Sequence, residues 1–427
     1  VMKKETLLYR TAFTIRILVL CLTLYLVYNG WGVYSGTNET SLLMYANLTC
    51  TGFWLLFMMG SILVSPFGRF FCALCPVGET NHLFSKIGLK RYINVKLDFL
   101  QGFSLILVFI LVIVFHFSKH PHLTSLLILS VITVAAIMGL LCKGNSFCLL
   151  LCPANAYLRF YSRLSFFKIS CKDKSTVSPC MVMLNPCNVK KEQCHLCFRC
   201  FKDAEGVSIS FDKKPLKNLA LPFSNVEIFI FSVLSGLTVM AFIRVVAPVR
   251  ELFVFPPYLI AQYFGLGEEH IIFLLVLFGV FLYPAICYLA FLVLMRIFAK
   301  NSMLELAKSF LPFFIPLILS IHLILALAKM NARIGFLPFA LTDPSGRDMV
   351  KLYLSSKIDI PSDLISIAYF KYILLILPIV AFFLTIYLIK NYVKTLSEKT
   401  ALIIIQSTFF LFIEYCVVSW LFKGVFL

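Results

Sequence analysis

The residues of this chain best suited to do chemistry are its cysteines, and they are densest in NPCNVKKEQCHLCFRCFKDAEGVSIS. There Cys194, Cys197 and Cys200 stand at C-x2-C-x2-C spacing ahead of a β-like run, with Cys187 in the segment before them. A loop of this spacing lets three thiolates converge on one [4Fe–4S] cube while a fourth arrives from elsewhere in the chain. Cys187 is placed to be that fourth ligand. Zinc knuckles also use C-x2-C pairs, and buried free thiols need no metal, but zinc sites rarely string three cysteines each two residues apart. The spacing therefore favours iron–sulfur chemistry.

A second set of cysteines is repeated. GRFFCALCPVG (Gly68 to Gly78) matches GNSFCLLLCPAN (Gly144 to Asn155), giving Cys72, Cys75 and Pro76 in one copy and Cys148, Cys152 and Pro153 in the other. Proline stiffens the backbone beside the sulfur. Together the pairs supply four thiolates, enough for one [4Fe–4S] cluster at the membrane surface; the alternative is two thiol pairs doing redox or packing work. Cys21, Cys50, Cys287 and Cys416 lie in apolar runs and read as packing residues, and Cys142 as a spare.

Membrane helices must position these residues. The chain has 427 residues, 60% of them apolar, and a mean hydropathy of +0.93, which excludes a soluble globular protein. Apolar runs near the ~20 residues that cross a bilayer occur at Thr14–Val33, Thr51–Val64, Phe99–Phe117, Leu123–Leu141, Val226–Val246, His270–Ile297, Ser309–Lys329, Tyr369–Ile389 and Ala401–Phe422. The expected fold is an all-α polytopic membrane protein of about nine transmembrane helices with a small cytoplasmic ferredoxin-like [4Fe–4S] segment. Residues 1–155 read as two repeated helix hairpins each ending in a Cys-Pro motif, 156–222 as the ferredoxin-like segment, and 223–427 as a five-helix membrane region of unassigned role. The first run lacks a cleavage site, so no signal peptide is expected.

The net charge of +18 follows from basic loops held inside rather than from nucleic acid, which is not an expected partner. That rule puts the N-terminus and the cysteine loops on the cytoplasmic side of a multi-pass cell-membrane protein, where reducing conditions suit thiolate ligation. Sequons at Asn38 and Asn47, and the charge-balanced loop from Asn331 to Ala368, fit the outer side. A twofold axis along the membrane normal would bring both Cys-Pro copies to one face.

GRFFCALCP, FCLLLCP and the cysteine loop after them resemble the membrane-bound [4Fe–4S] ferredoxin-type proteins of the NapH/NosR kind, over roughly Arg10 to Ser210. The resemblance implies electron transfer between the quinol pool and a redox partner, with the cysteine motifs facing the cytoplasm. The chain departs from the family's pattern in its tighter first copy, C-x2-CP. It also departs in two four-cysteine motifs that are incomplete at Lys174 and Ala204. In a two-cluster ferredoxin both losses fall on the cluster based on Cys171 and Cys180. One ferredoxin-type cluster is therefore expected, on Cys187, Cys194, Cys197 and Cys200, with Cys171 and Cys180 spare or joined to other sites.

A partner for such clusters is expected in the bilayer, and quinone is the natural one. His116, His120 and His122, His322 and Glu414 are the candidate quinone-contacting or haem-ligating groups, since two facing histidines on helices could ligate haem b; quinone is the expected ligand rather than haem. Each histidine also reads as a solvated or satisfied side chain, whereas Glu414 within a span is costly and functional by default, with Arg244 or Lys329 as its candidate partner. Lys190, Lys191, Arg199 and Lys202 would dock an acidic carrier such as a soluble ferredoxin. Arg250, Glu251, Glu268 and Glu269 read as an outer loop. The leading expectation is an electron-transfer subunit of a membrane redox complex, quinol dehydrogenase-like, with other protein subunits as partners. The alternatives are a redox or metal maturation factor for a membrane oxidase or reductase, and a transporter whose cysteines sense redox state.

Overall fold

The computed structural model describes residues 4–34, 40–91, 98–171, 194, 196–200, 207–212, 215–244, 246–359, 361 and 363–422. Among these, eight helices are long and apolar enough to cross a membrane: Leu7–Gly30, Leu48–Phe67, Pro121–Leu141, Asn225–Ile243, His270–Phe298, Met303–Thr342, Ala368–Tyr392 and Leu396–Phe422. Helices suit this setting because a bilayer offers no partner for a backbone N–H or C=O left unpaired. The chain is a multi-pass membrane protein. The remaining predicted span, Phe99–Phe117, forms a helix only over Leu100–Ile113. At 1.5 Å per residue it reaches about 21 Å, short of the ~30 Å hydrocarbon core.

Two compact units make up the chain. The first holds residues 1–104, 111–215 and 326–364, and the second holds 105–110, 216–325 and 365–427. In the first unit, α1 (Lys4–Gly30) and α2 (Leu48–Phe67) lead to a short α3 (Phe70–Leu74) and then α4 (Pro76–Ile87). After α5 (Leu100–Ile113) the pattern recurs: α6 (Pro121–Leu141), a short α7 (Ser146–Leu150), then α8 (Pro153–Tyr161).

The two sequence copies share a backbone course. Gly68 (φ 130°) and Gly144 (φ 74°) open them at positive φ, which glycine adopts without a Cβ clash. A five-residue helix follows in each, then an extended cysteine, Cys75 (φ −66°, ψ 122°) or Cys152 (φ −66°, ψ 113°), at the cap of a helix whose first residue is proline. Proline is at home there because the first helical N–H has no partner to lose.

The chain is not wholly helical. β1 (Phe167–Cys171) pairs antiparallel with β2 (Val207–Phe211), from Phe167 opposite Phe211 to Cys171 opposite Val207. This ribbon closes the base of the cysteine segment. Two other expectations change. The stretch with Arg250 and Glu251, read as an outer loop, is helical from Ala247 to Tyr263 and carries Pro256 and Pro257 inside it. Asn47, one of the two sequons, is fully buried and donates to the carbonyls of Pro344 (3.2 Å) and Ser345 (3.0 Å), so its amide is committed to packing. Asn38 lies outside the described residues.

Helix α4 lies close against α6. Asn81 donates to the Ala135 carbonyl (2.7 Å) and to Ser146 Oγ (3.2 Å), and a Cβ at Gly139 would fall 2.4 Å from the Asn81 carbonyl oxygen. Backbone cannot yield as a flexible side chain does, so Gly139→Ala is expected to cost about 1–3 kcal/mol. It should also lower the melting temperature of the purified protein. Gly60→Ala, whose Cβ meets nothing within 4 Å, serves as the neutral control in the same thermal melts.

Candidate functional site: a cavity lined by five thiols

The Cys-Pro copies deliver their sulfurs to one cavity of the first unit. Cys72 and Cys75 from the first copy and Cys148 and Cys152 from the second line it, and Cys197 joins them from the cysteine loop. The cavity holds about 460 Å³ of atom-free space, part of it open to solvent. Arg16, Glu79, Arg199, Asn145, Asn155 and Phe71 complete most of its wall. Corresponding positions of the two copies face it in pairs: Cys72 with Cys148, Cys75 with Cys152, Gly78 with Asn155.

Burial dominates the thiol chemistry. It pushes Cys152 up to about 12, with the nearby Cys75 adding to the effect. The amides of Asn155 and Ala154 at the start of α8, and the Arg69 charge, pull the other way. Cys75 is likewise raised by burial and eased by the amides of Gly78 and Val77 at the start of α4, although neither closes a capping hydrogen bond. Cys72 is raised by burial, against the pull of the Arg69 charge, and then by the sulfurs around it; Cys148 is raised by burial and then by the neighbouring sulfurs. With nothing bound, these are neutral thiols. Redox-active dithiols need the opposite, a lowered pKa that supplies thiolate.

The charges at the cavity are guanidinium-rich. Glu79, with no exposed side-chain surface, accepts from Arg16 (2.9 Å) and Arg199 (2.5 Å) through the same Oε2 atom. Arg16 also donates to the carbonyl of Cys197 (2.6 Å). Arg69, 2% exposed, donates to Asn155 Oδ1 (2.5 Å), and Asn155 in turn donates to the Cys148 carbonyl (2.9 Å). Arg16, Arg69 and Arg199 against Glu79 leave more buried cations than anions among the described residues. Glu79 Oε1 and Asn145 Oδ1 are buried there without a hydrogen-bond partner among those residues. Buried polar atoms are nearly always satisfied, so this wall has the character of a binding site.

Among the described residues, no three His, Cys, Asp or Glu side chains lie close enough to share a single metal ion. A lone zinc draws every sulfur to about 2.3 Å from one point. A cubane's ligands each bind a different iron and stand further apart, so the spread of these thiols excludes less than it first suggests.

The other candidate residues distribute as follows. Cys194 and Cys200 pack against an apolar cluster of Ala12, Ala73, Leu196, Phe198 and Val207. Cys194 also lines a smaller cavity with Arg69 and Lys168, and burial raises its thiol to about 11. Cys187, Cys180, Lys174, Ala204, Lys190, Lys191 and Lys202 lie outside the described residues. Arg199, expected on a docking surface, is instead buried in the Glu79 pair, because its loop turns inward over the cavity. His116 is exposed at left-handed φ (52°), while His322 and Glu414 belong to the second unit. Glu414 Oε1 has no hydrogen-bond partner among the described residues.

Sequence reasoning passed over Arg16, Arg69, Glu79 and Asn155. Arg16 carried a readable signal, an ionisable residue inside an apolar run.

Two outcomes follow. Glu79→Gln removes the carboxylate charge shared by two buried guanidinium groups and is expected to destabilise the protein by about 3–5 kcal/mol, measured as a lowered midpoint in thermal or denaturant titration. In metal-free protein the cavity thiols should react with iodoacetamide far more slowly than glutathione near pH 8, and should accelerate as pH rises towards their raised pKa values. Fast alkylation at pH 7 would contradict the neutral-thiol description. Compared with family models, curated proteins and solved structures, the chain matches none of them.

Proposed function

We propose that the chain is a membrane-integral electron-transfer subunit that holds a [4Fe–4S] cluster on Cys72, Cys75, Cys148 and Cys152 and exchanges electrons between quinone and a redox partner. The observation that carries this reading is the convergence of thiols from distant segments on one cavity, beside the buried Arg16–Glu79–Arg199 cluster. Four thiolates on an oxidised cubane carry a net charge of about −2, and the guanidinium groups of Arg16 and Arg199 line the same cavity. Donor set and charge therefore fit the group.

Such a cluster, when bound, stores and passes single electrons. This chain's residues do the rest. The prolines after Cys75 and Cys152 stiffen each ligand's backbone. The helix-start amides favour thiolate at both positions. Arg16 and Arg199 hold compensating charge in a fixed place through Glu79. The resemblance to the NapH/NosR kind supports the quinone assignment, and the basic loops around the Cys-Pro copies support a cytoplasmic orientation of the site in the cell membrane.

Iron and acid-labile sulfide on purified wild type and on the Cys72→Ser, Cys148→Ser double variant test the reading. Wild type is expected to be brown, with absorbance at about 400 nm and about four irons at this site; the double variant, left with three cavity thiols, should lose them. Quinol or reduced ferredoxin should bleach the wild-type chromophore. Intact iron that neither donor reduces would end the electron-transfer reading and leave a metal-maturation role in its place.

A further inference from the structure

Cys197 parts company with its neighbours in the C-x2-C-x2-C run. Leu196 and Phe198, on either side, both adopt left-handed φ (47° and 56°), a conformation that bulky residues rarely accept. Both are buried in the apolar cluster with Ala12 of α1, Ala73 of α3 and Val207 of β2, and Cys194 and Cys200 pack against the same cluster. Cys197 alone of the three lines the cavity with Cys72, Cys75, Cys148 and Cys152.

The fixings come from α1. Ala12 packs beneath Leu196 and Phe198, and Arg16, one helical turn on and so on the same face, holds the Cys197 carbonyl at 2.6 Å while pairing with Glu79. Arg199 closes the other side of Glu79 at 2.5 Å. Backbone strain at two consecutive anchors persists only where surrounding contacts over-determine it, and here those contacts aim one sulfur away from its run and into the hairpin site.

We propose that Cys197 is the fifth thiol of the hairpin site, with Arg16 as the residue that positions it. The proposal rests on the cluster reading above and assigns Cys197 away from the loop set of Cys187, Cys194 and Cys200. Four irons take four thiolates, so a fifth sulfur over the same cavity would be able to replace one that leaves, its proton passing to the departing thiolate as it binds iron.

The test uses full-length protein carrying Cys187→Ser, Cys194→Ser and Cys200→Ser, in which only the hairpin site can hold a cluster. Adding Cys197→Ser is expected to change the electron paramagnetic resonance spectrum of the reduced cluster and to speed iron release to a chelator several-fold. Arg16→Gln should shift the midpoint potential and release rate in the same direction, with Arg16→Lys partly restoring both. An unchanged spectrum and release rate on Cys197→Ser would overturn the proposal. A second arm needs no iron. Protein whose only cysteines are Cys148 and Cys197 should be crosslinked by dibromobimane to a fluorescent product, whereas the Cys148 and Cys194 pair should not. Absence of the first crosslink overturns the assignment. Iron that survives the joint removal of Cys72, Cys75, Cys148 and Cys152 removes the cluster reading instead, and a crosslink between single cysteines at 148 and 197 then decides the place of Cys197 by itself.

Discussion

Two arginines sharing one carboxylate oxygen inside a membrane protein is the constraint on which the rest of the site depends. Arg16 comes from the first membrane helix, Glu79 from the helix that follows the first Cys-Pro motif, and Arg199 from the cysteine loop. Three distant segments are thereby tied at one oxygen atom. Removing one partner of such a buried group is costly, so the three segments hold one another in place beside the thiols.

The repeat explains how the sulfurs meet. Each copy uses a positive-φ glycine, a single helical turn and a Cys-Pro step onto a new helix, so each presents its second cysteine at a helix start. The copies differ where the charge lies: Arg69 and Glu79 in the first stand against Asn145 and Ala156 in the second. Asymmetry on a symmetric frame leaves the thiols equivalent and the field around them unequal, with Arg69 reaching across to Asn155 and so to the Cys148 carbonyl. The close approach of α4 to α6 at Gly139 keeps the two halves in register.

The thiol pKa shifts sort the functional readings. Thiol–disulfide exchange and single-ion delivery both favour accessible sulfurs of lowered pKa. Here burial raises every cavity thiol that shifts. The proposed cluster would take the sulfurs as thiolates and offset their desolvation in metal–sulfur bonds.

Hydropathy alone identified the helical membrane class and nearly every span, because apolar runs of sufficient length have no other stable use. The repeat and its four cysteines were equally legible, since Cys-Pro at matched spacing needs no tertiary information. The shortness of α5, the β1–β2 ribbon and the helix over Ala247–Tyr263 were settled by packing and pairing that local pattern does not carry. The fate of Cys197 shows the limit most clearly. Spacing grouped it with Cys194 and Cys200, but a strained backbone anchored in an apolar cluster, and an arginine more than a hundred residues away in the chain, turn it to the other site. Spacing states which sulfurs can converge; only the folded chain, through long-range charge pairing and burial, decides which of them do.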